Sequence, residues 1–169
     1  LGGKLGHCVD DYFSISECSV ERILGRLEIG GQDRKVFQLK LGIGSPEEDV
    51  QQVAAVLGEL TERQILLADA NGGWSVDTAC DIISCFDDSR VVWEEACSTY
   101  DENTEVACRT GQPVMVDQCV KEVSLATKAV DDQLVSSLCI KPAFLGGLKV
   151  AYDVRNYCVI GGMQMRIDG

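Results

Sequence analysis

Five ionisable residues recur at nearly constant intervals along this chain. Each ends a short apolar run typical of a buried β-strand, and neighbouring members of the series lie between 23 and 29 residues apart: Lys40, Asp69, Glu94, Asp117 and Lys141. Such an interval accommodates one strand and one helix. Because the carboxyl ends of the strands in a parallel βα barrel meet at one face and carry its catalytic residues, the repeat predicts that these groups lie together. Three acids would then form a metal site with a lysine on either side.

The sequence between these residues alternates between strand and helix patterns. Residues 36–41 predict a strand with Gln38 and Lys40 on the interior face, and Ser45 with Glu48 forms the signature of a capped helix. The predicted strands cover residues 10–15, 36–41, 65–68, 91–93, 113–116, 134–140 and 159–167. Further helices begin at Ser75 or cover residues 104–109, 121–130 and 146–157. This alternation predicts a parallel sheet with right-handed crossovers.

The length of the chain limits how much of a barrel it can form. Functional groups on successive strands favour a barrel over an open sheet, but an eight-unit βα barrel typically needs ~250 residues and this chain has 169. We therefore expect an α/β fold: an incomplete TIM-like barrel of about seven βα units, without a final strand. Residues 1–169 are expected to form a single domain.

Charge and hydropathy exclude several classes of partner. The chain has 15 Lys and Arg against 27 Asp and Glu, a net charge of −12, which argues against nucleic acid and anionic membranes as partners. No apolar run approaches the roughly 18 to 20 residues that span a bilayer, and the first residues lack the pattern of a secretion signal. We expect a cytoplasmic protein.

The nine cysteines fit neither a disulfide framework nor a zinc site. Their number is odd, no two form a CxxC pair, and the single histidine is His7. Cysteines inside apolar runs, such as Cys80, Cys85 and Cys139, are better explained as small hydrophobic residues in a reducing compartment.

Five motifs in a fixed order resemble a known family. FQLKLG, LLADANGGW, VVWEEAC, PVMVDQC and IKPAFLGGL are together similar to the barrel domain of the enolase superfamily, in its mandelate racemase and muconate-lactonising branch with two lysines. The resemblance implies that Asp69, Glu94 and Asp117 bind Mg²⁺ and that Lys40 and Lys141 act as opposing base and acid. It also implies that Asn71, in the family's Asp-x-Asn motif, forms hydrogen bonds within the site.

The chain departs from the family pattern at several positions. Gln38 stands where the first lysine of Lys-x-Lys is usual, Glu95 and Ala96 stand where Gln-Pro is usual, and Gln118 stands where Glu is usual. None of these changes removes a predicted ligand or base, and Gln38 and Gln118 are expected to support the site. The N-terminal capping domain of full-length relatives has no counterpart in this sequence.

The predicted chemistry is removal of the α-proton of a carboxylate. Mg²⁺ selects oxygen ligands and would neutralise the charge of an enediolate, and partial burial beside a cation would lower the pKa of a lysine base. Lysines on opposite faces permit epimerisation, and protonation of a leaving group gives dehydration. The resemblance extends to the branch acting on proline derivatives such as hydroxyproline betaine and cis-3-hydroxyproline.

Other readings of the same motifs remain open. The enzymatic alternatives are dipeptide epimerisation and muconate-type cycloisomerisation. An alternative of another class is a catalytically silent truncated barrel that serves as a binding or assembly module. On the enzymatic reading the partner is a small-molecule carboxylate, and the protein is expected to be a homo-oligomer.

Overall fold

The structure is a computed structural model that describes residues 11–31 and 33–168. Within these ranges seven strands alternate with helices along the chain. The elements are β1 Tyr12–Ile15, α1 Val20–Gly30, β2 Val36–Lys40, α2 Pro46–Glu59, β3 Ile65–Asp69, α3 Val76–Ile83, β4 Val91–Glu94, α4 Tyr100–Thr110, β5 Val114–Val116, α5 Val123–Asp132, β6 Ser137–Ile140, α6 Pro142–Leu145, α7 Leu148–Gly161 and β7 Gln164–Ile167.

The seven strands form one parallel sheet in which the spatial order follows the sequence order, from β1 to β7. Every neighbouring pair is parallel, and a helical crossover joins each strand to the next. Contacts between distant strands show that the sheet is curled. The guanidinium of Arg166 on β7 lies 4.9 Å from the ring centre of Tyr12 on β1 and also contacts Glu94 on β4. This curled half-barrel confirms the expected incomplete barrel.

The two faces of the sheet have different roles. On β2, Phe37 and Leu39 are buried in the apolar layer between sheet and helices, while Gln38 contacts Asp69 and Glu94 across the interior face. Because successive side chains of a strand point to opposite faces, Gln38 and Lys40 face the barrel interior while Phe37 and Leu39 face the helices. The predicted interior position of Gln38 and Lys40 is therefore confirmed.

Local sequence signals define the helices of the outer layer. Ser45 caps α2 as predicted: its hydroxyl accepts from the backbone N–H of Glu48, and the Glu48 carboxylate accepts from the Ser45 N–H. Thr99 and Glu102 form an equivalent capping box, so the helix predicted at residues 104–109 in fact begins at Tyr100. Helix α1 was not predicted from the sequence.

The predicted bounds of the last two strands are wrong. Residues 134–136 precede β6 rather than belonging to it, and residues 159–161 complete α7 instead of opening β7. Helix α7 continues because Ala151, Val154 and Cys158 recur at helical spacing on its buried side, which outweighs the strand preference of the β-branched residues that follow. Gly162, with φ of 71°, ends the helix.

The described part of the chain contains eight cysteines, all free thiols. Five of them are buried, including Cys80 and Cys139 as expected, whereas Cys85 is exposed. Within these same residues no helix is both long and apolar enough to cross a membrane.

Candidate metal centre and active site

The five recurring ionisable residues lie at the carboxyl ends of five consecutive strands. Lys40 pairs in register with Asp69, and Asp69 with Glu94. Asp117 and Lys141 each follow directly after the last residue of their strands, β5 and β6. The sequence prediction that the five groups share one end of the sheet agrees with their placement.

Each of the three carboxylates forms an ion pair with a different basic side chain. The Lys40 Nζ lies 2.5 Å from Asp69 Oδ2, and the Lys141 Nζ lies 2.8 Å from Asp117 Oδ2. Glu94, which has no exposed surface, accepts from both terminal nitrogens of Arg166. Each of the three carboxylates therefore has one cationic partner.

Gln38 joins two of these acids. Its Nε2 donates to Asp69 Oδ2 at 3.0 Å and to Glu94 Oε2 at 2.9 Å, while its Oε1 accepts from the Ser14 hydroxyl at 3.2 Å. A neutral amide in this position can satisfy two carboxylates without adding a charge. The amide thus holds the carboxylates of neighbouring strands beside one another.

Asn71 and Gln118 connect the loops that follow β3 and β5. The Gln118 Nε2 donates to Asn71 Oδ1 at 3.1 Å, and Lys40 Nζ lies 3.5 Å from the same oxygen. The backbone N–H of Asn71 donates to Asp69 Oδ1 at 2.9 Å. Both supporting residues expected from the sequence therefore reach the cluster.

The loops after β2 and β3 are held together by a buried aspartate outside the cluster. Asp49, on α2, accepts from the Gly42 N–H and from Trp74 Nε1. Gly42 has φ of 76°, and a Cβ there would lie 2.7 Å from the Ala70 carbonyl oxygen, so a side chain would force the loops apart. Burial raises the pKa of Asp49. This contact fixes the loops that follow Lys40 and Asp69.

Burial and charge shift the titration of two groups in the cluster. Burial raises the pKa of Glu94, and the negative charge of Asp69 raises it further, against the hydrogen bond from Arg166. Burial disfavours the charged form of Lys141, but its hydrogen bond to Asp117 and the acids around it outweigh this effect, so its pKa lies above the usual range. The lowering of a lysine pKa beside a divalent cation concerns the metal-bound site and stays a prediction.

The acids are not gathered into a ready-made metal cluster. Within residues 11–31 and 33–168, no group of three His, Cys, Asp or Glu side chains is arranged to hold a metal ion, because each acid contacts a basic side chain instead. Their chemistry nevertheless fits Mg²⁺, which prefers carboxylate oxygens. Asp117 Oδ1 is buried and finds no hydrogen-bond partner among the described residues, so one oxygen at the site is available to a cation.

Sequence reasoning missed the arginine of the cluster. Arg166 lies on the interior face of β7, two residues after Gln164, as Lys40 lies two residues after Gln38 on β2. This shared spacing of a glutamine and a basic residue was the available signal. Asp168 lies 3.8 Å from Arg166 and 3.9 Å from Lys141. Strand β7 and the residue that follows it therefore add a cation and an anion to the five groups that the spacing predicted.

A cavity of about 780 Å³ lies in the barrel interior beneath the charged cluster. Its walls include apolar side chains from the middle of successive strands, among them Leu67, Val92 and Met115, and it also reaches Arg166. The interior face below the charged strand ends therefore carries a mixture of apolar and polar side chains.

A family model described as Enolase C-terminal domain-like matches residues 28–168. The chain belongs to this family. The order of the motifs and the incomplete barrel agree with that membership, in the mandelate racemase and muconate-lactonising part of the enolase superfamily.

Individual relatives support the same assignment. The chain is 27% identical over 169 residues to a cis-3-hydroxy-L-proline dehydratase of Roseibium aggregatum, covering 99% of this chain and 46% of the relative. It is 30% identical over 115 residues to an o-succinylbenzoate synthase of Thermobifida fusca, covering 68% of this chain and 36% of that protein. The chain thus spans less than half the length of these two curated relatives.

Solved structures reproduce the fold. A crystal structure of an enolase superfamily member from Roseovarius nubinhibens, complexed with magnesium, superposes with a TM-score of 0.89 at 28% identity, covering 99% of this chain and 46% of that one. Muconate lactonizing enzyme from Pseudomonas putida superposes with a TM-score of 0.85 at 21% identity, covering 97% and 47%, a likeness that shows the fold alone.

Proposed function

We propose that this chain is the barrel part of a Mg²⁺-dependent enzyme that removes the α-proton of a small-molecule carboxylate. One observation carries the proposal: three carboxylates end consecutive strands, and lysines end the strands on either side. Asp69, Glu94 and Asp117 are the proposed Mg²⁺ ligands. The family membership and the magnesium in a structural relative support this choice of metal.

The proposed metal supplies positive charge where negative charge develops on the substrate carboxylate, which stabilises the transition state. Lys40, Lys141 and Arg166 each form an ion pair with one of these acids. Release of Lys40 from Asp69 and of Lys141 from Asp117 would free the two amines for proton transfer. Loss of the Asp117 contact also removes the interaction that keeps the pKa of Lys141 high.

The two lysines determine the possible reactions. They extend from β2 and β6, the strands that flank the three acid-bearing strands, so a substrate between them would present opposite faces to the two amines. If one lysine takes the α-proton and the other returns a proton, the product is the epimer. If the second lysine instead protonates a leaving group, the product is the dehydrated compound.

A proline derivative is the substrate class that we propose. The relative named cis-3-hydroxy-L-proline dehydratase aligns with 99% of this chain, and the motifs resemble that branch. Gln38 in place of a lysine beside Lys40 leaves one cation fewer near the substrate. Dipeptide epimerisation and muconate-type cycloisomerisation are the alternatives within the family. We further propose a cytoplasmic homo-oligomer.

Exchange of the substrate α-proton with solvent tests the proposed function. In deuterated buffer with MgCl₂, the chain is expected to remove the α-proton signal of at least one compound in a panel of proline derivatives, dipeptides and hydroxy acids, followed by proton NMR. Removal of Mg²⁺ with EDTA should abolish the exchange, because the developing charge then lacks its main counter-charge. Restoring excess MgCl₂ to the same sample controls for irreversible loss of protein.

Two results would contradict the proposed function. If the chain binds Mg²⁺ but exchanges no α-proton across the whole panel, the silent binding or assembly module becomes the better account. Exchange that continues at the same rate in EDTA would exclude a metal-dependent reaction.

A further inference from the structure

Glu95 has an unusual backbone conformation next to a proposed metal ligand. It follows Glu94 directly, is only 3% exposed, and has φ of 46°, in the left-handed region that residues other than glycine seldom occupy. An extended continuation of β4 would direct Glu95 to the face opposite Glu94. Holding the left-handed conformation costs of order 1 kcal/mol or more, so the surrounding contacts must stabilise it.

The side chain of Glu95 forms two hydrogen bonds with the loop that carries Asp117. Its Oε2 accepts from the backbone N–H of Asp117 at 2.5 Å, and its Oε1 accepts from the backbone N–H of Cys119 at 2.7 Å. One carboxylate therefore binds two N–H groups of the same turn.

The backbone of Glu95 forms hydrogen bonds with two further segments. Its N–H donates to the carbonyl of Met115 on β5 at 2.8 Å, and its carbonyl accepts from the N–H of Gly72 at 2.6 Å. Gly72 lies in the loop that follows Asp69. Glu95 thus links the ends of the three strands that carry Asp69, Glu94 and Asp117.

We infer that Glu95 is a positioning residue that fixes the Asp117 carboxylate, with its unpartnered oxygen, in place for Mg²⁺. This inference rests on the proposed function, since it assigns a role toward a metal. Asp117 follows the end of a three-residue strand, so its main chain is secured by the Glu95 carboxylate rather than by a long ladder of strand hydrogen bonds. Residues that orient metal ligands typically contribute 10- to 100-fold in metal affinity.

Glu95→Met is the variant that tests this role. Methionine has a similar length but carries no oxygen in its side chain, so both backbone N–H groups lose their acceptor. Calorimetric titration with Mg²⁺ is expected to show about 10- to 100-fold weaker binding than in the parent chain. Glu105→Met, at an exposed glutamate on α4, is the control for loss of one negative charge.

Titration with Ca²⁺ separates positioning from general damage. Mg²⁺ requires near-ideal octahedral geometry, whereas Ca²⁺ tolerates variable geometry. A displaced Asp117 should therefore weaken Mg²⁺ binding by a clearly larger factor than Ca²⁺ binding. Lost charge or a smaller folded fraction would weaken both equally, and that outcome would overturn the positioning role.

A measurement on the parent chain keeps the inference testable if Glu95→Met does not fold. The N–H groups of Asp117 and Cys119 should be protected from hydrogen exchange even without Mg²⁺, because Glu95 already holds them. Rapid exchange of both in a folded, metal-free chain would overturn the inference. Parent-like Mg²⁺ binding by Glu95→Met would overturn it while leaving the proposed function intact, whereas a parent chain that binds no Mg²⁺ would overturn both.

Discussion

Replacing Lys40 or Lys141 by methionine is expected to abolish α-proton exchange at one face of the substrate. Methionine keeps most of the apolar stem and removes the amine, so proton transfer from that face should fall by about 10²- to 10⁴-fold. Because the two lysines lie on opposite sides of the carboxylates, each variant should lose exchange with one stereoisomer and keep it with the other. Proton NMR in deuterated buffer, run separately on the two stereoisomers, measures this difference.

The double variant and a surface lysine complete this test. Lys40→Met combined with Lys141→Met should exchange neither stereoisomer, while Lys149→Met, on the exposed side of α7, should match the parent chain. The assignment of two opposing lysines fails if either single variant exchanges both stereoisomers at the parent rate. All variants should bind Mg²⁺, since neither lysine is a proposed ligand.

Arg166→Met is expected to destabilise the metal-free chain by about 3 to 5 kcal/mol, the usual effect of removing one partner of a buried ion pair. Glu94 has no exposed surface and receives both terminal nitrogens of Arg166, so the substitution leaves its charge facing only the Gln38 amide. Urea unfolding without Mg²⁺ measures the loss. Saturating MgCl₂ should recover much of it, because a cation that binds only the folded state stabilises that state.

Arg109→Met is the matched control for the loss of an arginine. Arg109 pairs with Asp77 and Glu105 at the surface, where ion pairs contribute about 0 to 1 kcal/mol, and MgCl₂ should not change its effect. Equal stability of Arg166→Met and the parent, or a loss of stability that Mg²⁺ leaves unchanged, would contradict the expectation that Arg166 and Mg²⁺ neutralise the same carboxylate, Glu94.

Much of the fold was predictable because its signals are local. Strand-like runs end at an ionisable residue at a repeated interval, and a parallel βα arrangement then places Lys40, Asp69 and Glu94 side by side, as the strand register confirms. The end of α7 was not predictable in the same way. Val159 and Ile160 favour strands by composition, but the buried face of the helix extends through Cys158 and carries them with it.

The candidate site was only partly predictable. Spacing along the chain identifies which side chains reach the strand ends, but not how they pair. The contact between Arg166 and Glu94 joins residues 72 positions apart and depends on the curl of the sheet, which no local pattern records. The role of Glu95 depends on a left-handed backbone, and the sequence indicates it only as an acid where the family usually has glutamine.

Calorimetric titration of the chain with Mg²⁺, beside Asp69→Asn, Glu94→Gln and Asp117→Asn, tests the central claim most directly. The account predicts one Mg²⁺ per parent chain and much weaker binding by each variant, since each loses one charged oxygen ligand. Circular dichroism of the same samples shows whether the variants remain folded. No binding by the parent chain, or binding unaffected by all three substitutions, would contradict the assignment of these carboxylates as one metal site.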